Sequence, residues 1–136
     1  MMMISTRGRY ALRVIIDLAE NAKDRLIPMH EVAGRQGVSL KYLERILPEL
    51  VSAHLVEGVH GKGGGYRLTK EPSEISVGEI LRITEGDLAP VACLECNGPE
   101  CERVDDCRTL PMWKELNDRI NSYLDSVMIS DLMRVK

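Results

Sequence analysis

The stretch PMHEVAGRQGVSLKYLERILPELVSAH, followed at once by LVEGVHGKGGGYRLT, leaves this chain few folds to choose from. Pro28 or Met29 opens a short helix, MHEVAGRQ. Gly37 stands where a left-handed glycine ends a helix. Ser39 can cap the next helix, SLKYLERILPELVSAH, whose Leu40, Leu43, Ile46, Leu47 and Leu50 recur at the spacing of one buried face. Two helices separated only by Gly37 and Val38 read as a helix-turn-helix. Residues 56–60 and 65–68 are short strand candidates, and the glycines between them suit a tight turn with positive φ. Helix, turn, helix and hairpin make a winged helix-turn-helix. Pro48 conflicts locally with this reading, because it has no backbone donor. It predicts a bend near Ile46 and Leu47, with the helix retained.

The flanking segments complete a mainly α fold with a small β-wing. From Thr6 to about Asn21, apolar Tyr10, Leu12, Val14, Ile15, Leu18 and Ala19 form a helical stripe, with Ser5 or Thr6 as its cap. Residues 72–76 form a linker, and residues 77–85 a short helix that Gly86 ends. Residues 87–106 show no periodicity. A long amphipathic helix then runs from about Thr109 to about Val127, with Pro111 in its first turn. Its stripe is Leu110, Trp113, Leu116, Ile120 and Leu124. The winged head has its own core, so this stripe reads as the seam of a two-fold homodimer, in which Trp113, Leu116, Ile120 and Leu124 meet a second copy. The competing reading packs the helix back on its own head. The tail ISDLM forms a last short element, expected against the partner. Three parts follow: a DNA-binding head over 1–86, a cysteine-bearing sensor loop over 87–108, and a dimerisation helix and tail over 109–136. With no Phe and one Trp, the core must be built from Leu, Ile, Val and Met.

The net charge of −3 conceals two unlike halves. Residues 1–70 carry 11 Lys and Arg against 7 Asp and Glu, and residues 71–136 carry 7 against 14. The first half is thus +4 and the second −7, as a nucleic-acid-binding head with a different task behind it would be. No apolar run reaches the length of about 18 residues that a membrane helix needs. The N-terminus has no apolar signal-peptide core, so the cytoplasm is the default location. In that reducing compartment clustered cysteines are more often ligands or redox thiols than structural disulfides.

The start of the third helix offers Ser39, Lys41, Tyr42, Glu44 and Arg45 to a major groove. Lys41 and Arg45 suit phosphate or guanine acceptors, Glu44 a cytosine amine, and Ser39 and Tyr42 phosphate or sugar. The wing would bring Lys62 and the backbone of Gly63 and Gly64 close to the DNA. Arg7 and Arg9 are further phosphate candidates, and Tyr66 and Arg67 could support the wing. The bland alternative is a solvated polar face for the helix residues, a flexible surface hairpin for the wing, and a core position for Tyr66.

All four cysteines, Cys93, Cys96, Cys101 and Cys107, lie in CLECNGPECERVDDC. Their C-x2-C-x4-C-x5-C spacing has one zinc-like knuckle and lacks the second. Iron–sulfur clusters accept thiolates at irregular spacing. Cys107 stands at the entry to the long helix, where the helix dipole favours thiolate. An iron–sulfur cluster, zinc and redox thiols all remain open on these residues. An enzyme is disfavoured: there is no GxGxxG, no P-loop and no catalytic base beside the cysteines, and His30, His54 and His60 all lie in the head. A zinc-stabilised adaptor without DNA binding is a third class.

STRGRYALR, VSLKYLERIL, GKGGGYRLT, ISVGEILRITEG and the spaced cysteines ahead of Trp113 resemble the bacterial winged-helix regulators of the IscR/NsrR/RirA/CymR family over about residues 4–132. The resemblance implies a homodimer on a palindromic operator in double-stranded DNA, and the expected function is a transcriptional regulator that acts as a repressor. It also implies an iron–sulfur cluster, of the 2Fe-2S or 4Fe-4S kind, on three cysteines that match Cys93, Cys101 and Cys107. Cys96 is extra, as a spare thiol, a fourth ligand or a zinc partner. Fourth ligands used elsewhere in the family fall on Leu110 and Arg9 here, neither of which can serve. A wing position that carries a minor-groove arginine in some members holds His60, whose charge depends on pH. Members without the cysteines act through a partner enzyme of cysteine synthesis.

Overall fold

The computed structural model describes residues 4–94 and 106–134. The order is α1 (Thr6–Asn21), α2 (Met29–Gln36), α3 (Leu40–Ser52), β1 (Val56–Val59), β2 (Gly65–Leu68), α4 (Val77–Glu85), α5 (Leu110–Ser126) and α6 (Ile129–Leu132), with short 3-10 turns at Pro72–Glu74 and Ala92–Leu94. The expected class, mainly helical with a β-wing, is the one observed.

Each long helix of the head starts on a serine. Ser5, Ser39 and Ser76 accept from the backbone amides of Gly8, Tyr42 and Glu79, satisfying donors that a helix start leaves without a partner. Ser5 is therefore the cap of α1, and its own N–H and hydroxyl both donate to Glu85 at the end of α4. The helix α3 continues through Pro48. It closes two residues before His54, which adopts φ 61° while Leu55 N–H reaches back to Leu50 C=O at 3.1 Å.

The core gathers Val14, Ile15 and Leu18 of α1, Val32 of α2, Leu43, Ile46, Leu47 and Leu50 of α3, Ile80 and Leu81 of α4, and Ile27, Leu55 and Ile75 between them. Leu40 is the exception in the expected α3 stripe: it is 38% exposed, because it occupies the first position of the helix, beyond the packed face. In the wing, Val56 pairs with Leu68 and Val59 with Gly65, so β1 is one residue shorter than expected. Ile27 adds a third edge, exchanging two backbone hydrogen bonds with Tyr66 at 3.0 and 2.8 Å.

The C-terminal part departs from the expectation in two places. Part of the α5 stripe has an intrachain partner: Ile120 and Leu124 pack against the head core. The tail does too: Ile129 is fully buried in that core and its N–H donates to Ile75 C=O at 2.9 Å. The apolar surface that α5 keeps exposed retains Leu116 (39% exposed) of the expected stripe and adds Met112 (51%) and Tyr123 (67%). Trp113 is half-buried.

Candidate nucleic-acid interface

The turn between α2 and α3 is set by Gly37 at φ 65°, followed by Val38 and the capping Ser39. It delivers α3 with Lys41, Glu44 and Arg45 exposed. Positions separated by three and four share a helix face, so the three form one polar surface on the first turns of the helix. Ser39 spends an acceptor on Tyr42 N–H at 3.0 Å.

Tyr42 is placed differently from the expectation. It is half-buried, with its ring edge-on to Tyr10 of α1 at 5.4 Å and 82°. Arg13 lies over the Tyr10 ring, 5.3 Å from its centroid, and donates to Gln36 at the end of α2 at 3.0 Å. Tyr42 therefore joins α3 to α1 and holds the recognition helix in place. Reading the sequence alone missed Arg13 and the ring pair; the only available trace was Arg13 standing three residues after Tyr10.

Arg7 is also committed within the chain. Its Nη2 donates to Glu49 on α3, and the Arg7 Nε and Glu49 Oε2 atoms are buried without a hydrogen-bond partner. Arg9 is exposed and donates to Thr6 Oγ1 at 3.1 Å.

In the wing, His60, Lys62 and Gly63 are exposed and Gly64 is half-exposed. Gly61 and Gly63 take φ 103° and 79°, which side-chain-bearing residues rarely adopt, and Gly64 N–H closes the turn on Gly61 C=O at 3.0 Å. Behind it Arg67 pairs with Glu57 across the hairpin, so Arg67 supports the wing as expected.

Of the cysteines, Cys93 is exposed on the 3-10 turn and Cys107 is half-buried just ahead of α5, with its Sγ 3.3 Å from Thr109 Oγ1. Cys96 and Cys101 lie outside the described residues. Among the described residues no three His, Cys, Asp or Glu side chains assemble into a metal-holding group. No helix among them is long and apolar enough to cross a membrane.

A polar helix face delivered by a short turn, beside a glycine-tipped wing, defines a winged helix-turn-helix regulator that binds DNA. The family profile of Rrf2, described as iron-dependent transcriptional regulators, matches residues 4–135. The chain belongs to this family of transcriptional regulators, whose members act on DNA and are not enzymes. It is 38% identical over 133 residues to the HTH-type transcriptional regulator IscR of Aliivibrio salmonicida, covering 97% of this chain and 77% of that one. It is 34% identical over 132 residues to IscR of Escherichia coli K12, covering 97% and 80%. Among solved structures, CymR, the global cysteine regulator of B. subtilis, matches with a TM-score of 0.79 and 34% identity over 97% of this chain and 96% of that one. IscR of T. potens matches with a TM-score of 0.76 and 32% identity over 96% and 85%.

Proposed function

We propose that this chain works as a homodimeric repressor on a palindromic operator, with an iron–sulfur cluster on the cysteine segment modulating its affinity. Cys93, Cys101 and Cys107 would hold the cluster, with Cys96 as a further thiol. The observation that carries this reading is the position of the two described thiols. Cys93 and Cys107 bracket residues 94–106, one exposed and one at the mouth of α5. Thiolates are the donors such clusters take, so the donor chemistry fits. When bound, the cluster would supply a redox-responsive centre.

This chain's own part is to join that segment to the reading head. Cys107 leads into α5, and α5 packs on α4 and the core through Ile120 and Leu124. The exposed Met112, Leu116 and Tyr123, with Trp113 beside them, are the surface a second copy would cover. Lys41, Glu44 and Arg45 would read base edges, Ser39 and Arg9 would meet phosphates, and His60, Lys62, Gly63 and Gly64 would approach the backbone.

Anaerobic reconstitution with iron and sulfide tests the proposal. It should give visible cluster absorption and altered operator affinity. Substituting Cys93, Cys101 or Cys107 by Ala should remove both. If no absorption forms and these variants bind DNA as the parent does, the sensing part fails. A second reading, a cluster-free regulator of cysteine metabolism acting through a partner enzyme, is favoured by the match to CymR. It predicts freshly purified protein without iron or sulfide and binding of a cysteine-synthesis enzyme. Zinc in place of iron would support a structural metal instead.

A further inference from the structure

The C-terminal end of α5 is fixed to the head by side chains and backbone together. Arg82 of α4 donates from Nη1 to Asp125 Oδ1 at 2.6 Å and from Nη2 to Asp125 Oδ2 at 3.0 Å and Asn121 Oδ1 at 2.7 Å. A guanidinium meeting a carboxylate by this fork fixes direction as well as distance. Asn121 is itself held, its Nδ2 donating to Asn117 C=O at 2.8 Å and Asn117 Oδ1 at 3.0 Å. One turn before Arg82, Gly78 makes room: a β-carbon there would collide with the Asp125 carboxylate. Just beyond, Val77 N–H donates to Val127 C=O and Ile129 N–H to Ile75 C=O, both at 2.9 Å.

At its other end α5 buries its first residue, Leu110. Met112 and Leu116 are exposed, and the ion pair on this half, Arg119 with Glu115 at 3.0 Å, stays within the helix. A helix of 17 residues is roughly 25 Å long, so Cys107 and the Arg82 contact lie at opposite ends of it.

We infer that Arg82 is a positioning residue: by gripping Asp125 and Asn121 it sets the angle between the winged head and α5, and with it the half-site spacing a dimer accepts. The inference rests on the dimeric DNA-binding reading above. A half-exposed ion pair adds little stability, typically under about 1 kcal/mol. Its use lies in geometry, because two heads must meet DNA one helical turn apart in register, and any rotation of a head about α5 breaks that register.

The test is a binding series on duplexes bearing two half-sites selected with the parent protein, the spacer varied base pair by base pair. Parent, Arg82→Met, Asp125→Asn and the exchange Arg82→Asp with Asp125→Arg are compared, with circular dichroism and sedimentation confirming fold and dimer. The parent should favour one spacing by about tenfold or more. Arg82→Met should flatten that preference to about threefold or less while its affinity for a single half-site stays unchanged. The exchange should restore part of it. Asp125→Asn, close in shape to the parent, gives the same readout if Arg82→Met does not fold. A spacing profile in both single variants that matches the parent overturns the inference. A parent protein that is monomeric or binds no duplex overturns the functional reading instead, and that shows without any variant.

Discussion

Arg35 of α2 closes on both oxygens of Asp17 in α1, Nε to Oδ2 at 3.0 Å and Nη2 to Oδ1 at 2.7 Å. Asp17 is 2% exposed, and Gln36 Nε2 adds a third bond at 2.9 Å. The two partners are unequal, because Arg35 reaches solvent and also pairs with Glu31 at 3.3 Å. Removing Arg35 leaves a buried carboxylate with one neutral donor, while removing Asp17 leaves a cation that water can solvate. Arg35→Met should therefore cost about 3 kcal/mol, and Asp17→Ala about 1–2 kcal/mol. Denaturant midpoints decide it; equal losses would show that Asp17 is less dependent on its partner than its burial implies.

Gly65 and Gly34 should respond to alanine in opposite directions. A β-carbon on Gly65 would meet the Ile27 backbone at 2.6–2.9 Å, against the strand edge that exchanges hydrogen bonds with Tyr66. Backbone cannot turn aside as a side chain does, so Gly65→Ala should cost about 1–3 kcal/mol and weaken DNA binding by displacing the wing. Gly34 is exposed in the middle of α2 with open space where its β-carbon would go. Gly34→Ala should raise stability by about 0.5–1 kcal/mol through helix propensity. Thermal melts of both variants check the pair.

The head was legible because its signals are local. Serine caps at Ser39 and Ser5, the glycine at Gly37 and the stripe on α3 each lie within a few residues of what they control. What stayed hidden depends on residues far apart in the chain. Tyr42 reads as a groove-facing tyrosine until its ring meets Tyr10, and Arg7 as a free cation until it meets Glu49. The stripe of α5 misled for a related reason. Periodicity gives which residues share a face, but not which members of that face find a partner in the same chain. Ile120 and Leu124 went to the head, while Leu116 of the same stripe stayed exposed with Met112 and Tyr123, which the stripe had passed over.

The contact between α4 and α5 should withstand moderate acid and yield only in strong acid. Hydrogen bonding from Arg82 is the main cause that holds the Asp125 carboxyl below its ordinary value, with partial desolvation opposing it and the charge of Arg82 assisting. Arg82 is raised chiefly by the same bond, with the charges of Asp125 and Asp87 assisting, so it stays protonated throughout. A carboxylate lowered on folding contributes its stability in full above its ordinary pKa, and loses it as pH falls through the folded value. A carboxyl NMR titration should place the Asp125 midpoint below the usual aspartate range, and in Arg82→Met the midpoint should rise toward that range. An unchanged midpoint would mean that Arg82 does not hold the carboxylate in solution.

Lys41 and Arg7 separate a cation that meets DNA from one that braces the fold. Lys41 is exposed on the leading turns of α3, whereas Arg7 spends its guanidinium on Glu49. Each cation placed on a phosphate adds about 0.9 to the slope of log affinity against log salt. Lys41→Ala should therefore lower that slope by about one and change stability by less than about 0.5 kcal/mol. Arg7→Ala should do the reverse, leaving the slope in place and costing about 1 kcal/mol, since it strands Glu49 with its buried, unbonded Oε2 atom. Affinities measured across a salt series, paired with denaturant melts, distinguish the two. If Arg7→Ala lowers the slope as much as Lys41→Ala, then Arg7 leaves Glu49 for a phosphate when DNA arrives, and α1 belongs to the interface.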